Sequence, residues 1–368
     1  ACASSASHPR RGVGDAVVFL VAGLDEDVVR EVPPPANLFA LHTSHGGVLT
    51  DSASETSAFA SGCGAVPPRG AGILDGGGRL SSILDSFSQS GRSVGVVTSR
   101  CAGGPETAPL WGHSANAHDL EGAWSQLESR FPLPDLIVGG FSLAAREVAL
   151  RNRGVCVARD VAGARECPPD AQAFVQLGGR NASGSLHSLR CKYIPYADQR
   201  LDEGIPEDAE LVEFALSRLA ANPTGSLLVV SAGNLDRARR TGRPDRARSE
   251  LAALWKSVKA AVATASSGST LLVVGTHASE NGPRAVVLGN SAVARLAAQT
   301  KTGDGALQNL AAVGGLLRAD GGSCVAAAGL LLPADEDRRP GGVEIVAWVI
   351  AGCLVSSIIA TLLVDGPR

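Results

Sequence analysis

The sequence predicts an α/β fold around a mostly parallel sheet, followed by one C-terminal transmembrane helix. Three observations carry this. Residues 16–21 (Ala-Val-Val-Phe-Leu-Val), 227–230 and 271–274 are continuous apolar runs, the pattern of strands buried on both faces. Residues 80–90 have helical spacing and feed the apolar run 94–97, which gives a β-α-β rhythm. Residues 345–364 form an uncharged stretch of about the twenty residues that cross a bilayer.

Taken in order, residues 1–14 are rich in Ser, Ala and Arg and read as a loose arm. The first buried strand spans 15–21, and Pro33-Pro34-Pro35 breaks the chain after it. Leu49-Thr50-Asp51-Ser52-Ala53-Ser54-Glu55-Thr56-Ser57-Ala58-Phe59-Ala60-Ser61-Gly62 then places a serine at a helix start. Two readings stay open. Ser52 with Glu55 fits a capping box. A serine at a helix N-terminus is also how a nucleophile meets an anionic substrate, because free N–H groups and the helix dipole face it.

The strand at 94–97 is followed by a short strand at 135–138 and a helix through 143–150. Residues 154–193 read as an irregular surface excursion with three cysteines. A helix over 206–221 carries Glu207 and Asp208 in its first turn and Leu211, Phe214, Ala215 and Leu219 on one face. After the strand at 227–230 come a basic loop at 237–248 and a helix over 250–265. Strands at 271–274 and 285–288 close the sheet. The expected organisation is an arm (1–14), an α/β domain (15–332), a polar juxtamembrane linker (333–344) containing Asp335-Glu336-Asp337, a transmembrane helix (345–364) and a short tail (365–368). There is no internal repeat.

Composition narrows the function classes. With 33 Lys and Arg against 36 Asp and Glu, the net charge of −3 gives no electrostatic case for nucleic acid. Methionine is absent, and a leader ahead of Ala1 is expected. The eight cysteines (Cys2, Cys63, Cys101, Cys156, Cys167, Cys191, Cys324, Cys353) form no C-x-x-C pair. Their scatter suits one to three disulfides in an oxidising compartment, or small buried residues. Asn181-Ala182-Ser183 is a glycosylation sequon, relevant only to a lumenal or extracellular domain. Arg338 and Arg339 before the span and Arg368 after it leave its orientation open. A cleaved lipid-anchor signal is the alternative to a retained single-pass anchor, which is the expectation. The soluble domain would then face a lumenal, extracellular or organellar compartment, a mitochondrial one included.

Four segments carry a family resemblance. Thr50-Asp51-Ser52-Ala53 resembles the nucleophile segment of alkaline phosphatases. Gly91-Arg92-Ser93-Val94-Gly95-Val96-Val97-Thr98-Ser99-Arg100 resembles the family's G-K-S-V-G-V-V-T-T-x-R strand, His113-Ser114-Ala115-Asn116 its A-H-T-V-N, and Asp135-Leu136-Ile137-Val138-Gly139-Gly140 its D-V-I-L-G-G. The resemblance implies an alkaline-phosphatase-like three-layer α/β/α sandwich. It also implies two zinc sites and one magnesium site, in which two close metals polarise the phosphoryl group and activate the serine and water.

The ligand positions the resemblance implies are largely missing. The first strand should end in a metal-bridging Asp, where this chain has Gly23, with Asp25 two residues on. Gly103-Gly104-Pro105-Glu106-Thr107 offers only Glu106 and Thr107 as magnesium ligands. The phosphate-clamping Arg is replaced by Ala117, a loss that matters because a bidentate guanidinium has no close substitute. In the strand Val230-Ser231-Ala232-Gly233-Asn234-Leu235-Asp236, Asp236 survives, the family Glu is Ser231, and the following His is Arg240. Gly275-Thr276-His277-Ala278 offers one His and no Asp.

The expectation is therefore a catalytically inactive relative, with Ser52 and Asp51 a vestigial nucleophile pair and Asp236 and His277 vestigial metal ligands. No metal or other cofactor is expected. The chain would act as a membrane-anchored structural or accessory subunit, contacting the bilayer and other membrane protein subunits through the transmembrane helix and the domain surface. The small residues between Ala351-Gly352 and Ser356-Ser357 would let a partner helix approach closely. One alternative is a phosphomonoesterase with a metal site rebuilt from Asp25, Glu106, Asp236 and His277. Another is an ectodomain that binds an anion at Ser52 without turnover. A Ser52–His277–Asp236 triad would be a new hydrolase on this fold. The glycines at 76–78 and 103–104 read as turns. The basic run Arg237, Arg239, Arg240, Arg243, Arg246 and Arg248 reads as a solvated loop, or as a surface for a partner protein or anionic headgroups.

Overall fold

The computed structural model describes residues 15–36, 38–45, 52–61, 70–73, 78–130, 132–140, 146–177, 194–265, 268–279, 282–291, 315 and 317. The chain divides into two compact units, Ala1–Leu331 and Leu332–Arg368. All of the second unit lies outside the described residues, as do the arm 1–14 and the sequon at Asn181, so the linker, span and tail stay sequence expectations.

The first part of the chain runs β1 (Ala16–Ala22), α1 (Glu26–Glu31), β2 (Phe39–His45), α2 (Ser52–Ser61), α3 (Ile83–Gln89), β3 (Ser93–Cys101), α4 (Leu120–Ser129), β4 (Leu136–Gly140) and α5 (Glu147–Asn152). It continues with β5 (Cys156–Ala158), α6 (Val161–Arg165), β6 (Ala173–Gln176), α7 (Asp208–Leu219), β7 (Ser226–Ala232), α8 (Asn234–Arg240), α9 (Pro244–Thr264), β8 (Thr270–Ser279) and β9 (Gly282–Gly289). The strands form one sheet in the order β2-β9-β8-β1-β7-β3-β4-β6-β5. Every pairing is parallel except those that β9 makes with β2 and β8.

The uninterrupted apolar strands have the cause the sequence suggested, since both faces of the sheet are covered. Along β1, Ala16, Val18 and Leu20 join a core with Phe59 of α2, Leu84 and Phe87 of α3 and Trp124 of α4. Val17, Phe19 and Val21 point the other way, into a core with Leu211 and Phe214 of α7 and Leu254 and Val258 of α9. Three layers result. Phe19, Phe59, Phe87 and Phe174 are fully buried, each stabilising the fold by about 2 kcal/mol through the area withdrawn from water.

Two readings of the sequence are corrected. Residues 154–193 are not simply an excursion, because β5 and β6 lie within them and extend the sheet past β4. These strands have three and four residues, too short for periodicity to reveal, and the Cys156–Cys167 disulfide closes the segment between them. Residues 237–248 are not a loop either. They are the end of α8, a tight turn and the start of α9. Gly242 adopts φ +63°, and the Gly242 and Arg243 N–H groups donate to the Arg239 and Ala238 carbonyls at 3.0 and 2.9 Å. This is a Schellman cap, and Pro244 starts α9 at a position where its missing N–H costs nothing.

Candidate functional site

The C-terminal ends of β1, β7 and β8 meet where ligands of open α/β sheets are usually held. Gly23 leaves β1 at φ +90°, and its N–H donates to the Thr276 carbonyl at 2.6 Å. A Cβ at this position would lie 2.5 Å from the backbone N of Asp236, so the start of α8 occupies the space a side chain would need.

Asp25 is 2% exposed and is doubly engaged. Its Oδ1 caps α1 by accepting from the Val28 N–H at 3.1 Å. Its Oδ2 accepts from both Arg239 Nη1 and Nη2 at 3.2 Å. Arg239 Nη1 also donates to the Gly23 carbonyl at 2.5 Å. One turn back on α8, Asp236 accepts from Arg240 Nε at 2.7 Å. His277, on β8, pairs in register with Arg284 of β9. Burial first, and then the Arg239 charge, push its pKa below the ordinary histidine value, against the pull of Asp25 and Asp236. Both effects favour the neutral imidazole, and its buried Nδ1 has no hydrogen-bond partner among the described residues.

Glu106, also at the strand ends, is in a buried ion pair with Arg100 at 2.6 Å. Arg100 Nη1 also reaches the Gly233 carbonyl at 3.4 Å. A Cβ on Gly233 would fall 2.1 Å from Arg100 Cδ, so glycine there is what lets the guanidinium pass. Thr107, the other magnesium-ligand candidate, donates its hydroxyl to the Ala102 carbonyl at 2.7 Å. With Leu20, Ala22, Val274, Thr276 and Thr56 of α2, Glu106 lines a cavity of about 20 Å³, room for about one water.

The remaining positions are structural. Ala117 is buried, and so is Ser231, whose hydroxyl has no partner among the described residues. His113 bonds the Leu80 carbonyl through Nε2 at 3.0 Å, and burial lowers its pKa. Helix α2 begins at Ser52 as expected, but the Ser52 side chain and all of Asp51 lie outside the described residues. The structure thus brings Asp25, Asp236 and His277 to one place and sets Glu106 against Ala22 and Thr276 in the small hollow beside them. The triad reading fails at its second contact, because Asp236 is held by Arg240 and does not orient His277.

Sequence reasoning placed Arg240 where the resemblance expects a histidine but missed the pairing of the carboxylates with arginines. Arg240 was legible as the i,i+4 partner of Asp236; Arg239, 214 residues from Asp25, had no sequence signal. Among the described residues no three His, Cys, Asp or Glu side chains converge to hold a metal ion. Each candidate carboxylate instead meets a guanidinium: Asp25 meets Arg239, Glu106 meets Arg100 and Asp236 meets Arg240. The donors described do not fit a two-metal cluster.

No family model matches the sequence, and no curated protein matches it. Solved structures do. The alkaline phosphatase from the Antarctic bacterium TAB5 aligns with a TM-score of 0.59 at 14% identity, covering 77% of this chain and 93% of that one. The Thermus thermophilus alkaline phosphatase aligns at 0.57 and 21% identity, over 73% of this chain and 60% of that one. A cold-active enzyme from the psychrophile Shewanella sp. aligns at 0.57 and 17% identity, over 71% and 67%. At these identities the likeness establishes architecture, and the chain has the alkaline-phosphatase-like α/β fold.

Proposed function

We propose that this chain is a catalytically inactive protein on the alkaline-phosphatase-like fold, serving as a membrane-anchored structural or accessory subunit of a membrane assembly. The observation that supports inactivity is the pairing of Asp25, Glu106 and Asp236 with arginines. A divalent ion would have to displace those guanidinium groups. At Arg100–Glu106, buried on both sides, breaking the pair costs about 3–5 kcal/mol, whereas the Asp236 pair, with its exposed Arg240, is worth under about 1 kcal/mol. Gly23 supplies no ligand and has no room for one. The membrane role rests on the uncharged run 345–364 and its small-residue stretch. No helix among the described residues is long and apolar enough to cross a membrane.

The test is elemental analysis of the full-length protein beside turnover of an aryl phosphate, with co-purifying proteins identified from native membranes. Sub-stoichiometric metal, no turnover and a stoichiometric membrane partner are expected. Two zincs per chain, with turnover abolished by Ser52→Ala, would overturn the proposal. The start of α2 at Ser52 favours anion binding without turnover as a second reading. Inorganic phosphate retained in the absence of metal would select it.

A further inference from the structure

A second cavity, of about 390 Å³, lies between α1 and the α8–α9 turn. It shares only Arg239 with the cluster at the strand ends, and its size falls in the range of small-molecule pockets, about 300–1,000 Å³. Its apolar lining is aliphatic, from Val28, Val32, Leu235, Ala247 and Leu251. The walls are fixed. Trp255 Nε1 of α9 donates to the Val32 carbonyl at the end of α1, 3.2 Å away. Arg239 ties α8 to the Asp25 cap. On the other wall the turn is set by Gly242 in the left-handed region and by Pro244. A preformed site spends little of its binding energy on ordering itself.

The charges around the cavity discriminate between ligands. Asp27 is engaged by Arg30 and Arg284, Arg239 by Asp25, and Arg248 by Asp245 at 3.0 Å. Two charged groups remain, Glu31 on the α1 wall and Arg243 on the α8–α9 wall. Neither makes an ion pair or side-chain hydrogen bond among the described residues. An aliphatic hollow with one carboxylate and one guanidinium on opposing walls matches a ligand with an aliphatic body and both charges.

We propose that this cavity binds a small aliphatic zwitterion, an apolar amino acid or short apolar peptide, with its carboxylate on Arg243 and its ammonium on Glu31. This does not depend on whether the strand ends are catalytic.

Titration calorimetry on the full-length protein tests it with L-leucine and the dipeptide Leu-Leu as probes. N-acetyl-leucine, which lacks the cation, and leucinamide, which lacks the anion, are the comparators. Saturable binding of at least one zwitterion is expected, with each blocked analogue about tenfold weaker, the value of one charge-assisted hydrogen bond. Arg243→Gln should bind the zwitterion about tenfold more weakly and stop distinguishing it from leucinamide. Glu31→Gln should do the same towards N-acetyl-leucine. Both positions are exposed, so the variants should keep the parent melting temperature, and Ala247→Trp should abolish binding by filling the cavity. Absence of saturable binding by either zwitterion, binding indifferent to both Gln variants, or preference for N-acetyl-leucine over leucine would each overturn the proposal.

Discussion

At Gly23 the φ of +90° and the 2.5 Å approach of the Asp236 backbone to a virtual Cβ act together. Restoring the aspartate that the family resemblance expects there would force a left-handed non-glycine residue against the start of α8. Gly23→Asp should therefore cost about 2–3 kcal/mol and recruit no metal. Denaturant unfolding and elemental analysis of the variant check both parts, and zinc uptake at near-parent stability would contradict them. The buried pair Arg100–Glu106 gives a second residue-scale expectation. Glu106→Gln removes the carboxylate charge from this buried pair and should cost about 3–5 kcal/mol, whereas Arg100→Met with Glu106→Leu should fall much closer to the parent. If the single variant proved no worse than the double, the pair would not be electrostatically coupled. Ser231 and Ala117 are quieter cases. Both are buried where the resemblance expects charged side chains, and the hollow beside Glu106 holds about 20 Å³.

Among the elements, legibility followed length and locality. β1 is apolar from end to end and β7 and β8 carry apolar cores at 227–230 and 271–274, so they are legible directly, as is α7 with its one-sided face. β5 and β6 are not, because three or four residues carry no usable period. α1 was missed because its cap, Asp25, was weighed as a ligand, yet its side chain accepts the Val28 N–H as any N-cap does. The basic run was read as a solvated surface because its partners are mostly remote in sequence. Arg237 and Arg246 both lie over the Tyr196 ring, at 4.7 and 4.5 Å, Arg239 reaches Asp25, and Arg240 and Arg248 pair locally. Most of that charge is used to fix α8 and α9, which weakens the reading of the run as an open patch for headgroups. At the β5–β6 edge, a disulfide of sequence separation 11 constrains the unfolded chain by about 3 kcal/mol. Cys156→Ser with Cys167→Ser should then lose about 2–3 kcal/mol. Amide exchange should rise first in β5 and β6 while β1, β7 and β8 stay protected; a uniform loss of protection would instead mean that the edge and the centre open together.

For the molecule as a whole, the most consequential ionisable group lies outside the strand ends. Arg200 is 1% exposed and is enclosed by Asp208 of α7 and Glu250 of α9, and the Ala197 N–H donates to Glu250 at 2.6 Å. Two helices and the 194–200 segment are thus joined through one buried cluster. Burial lifts the Glu250 carboxyl to about 7, outweighing the opposing pull of Arg200 and the Ala197 N–H, and nearby Asp208 adds to the rise. Folded and unfolded chains are both protonated there below about pH 4.5. Between that value and 7 the folded chain keeps a proton that the unfolded chain has released. The unfolded state then binds fewer protons, so this group's contribution is present at low pH and is lost as pH rises through 7, with a slope of up to about 1.4 kcal/mol per unit. His277 acts in the opposite sense, because its lowered pKa favours the folded state as pH rises through the ordinary histidine range. A bare melting curve would mix the two, so the comparison must be with Glu250→Gln, which keeps an acceptor for Ala197 and cannot ionise. Melting temperatures of both proteins from pH 5 to 8 should diverge, the parent falling relative to the variant until about pH 7 and running parallel above it. Parallel curves throughout would show that Arg200 already holds Glu250 ionised and that the cluster is a permanent salt bridge with no pH response.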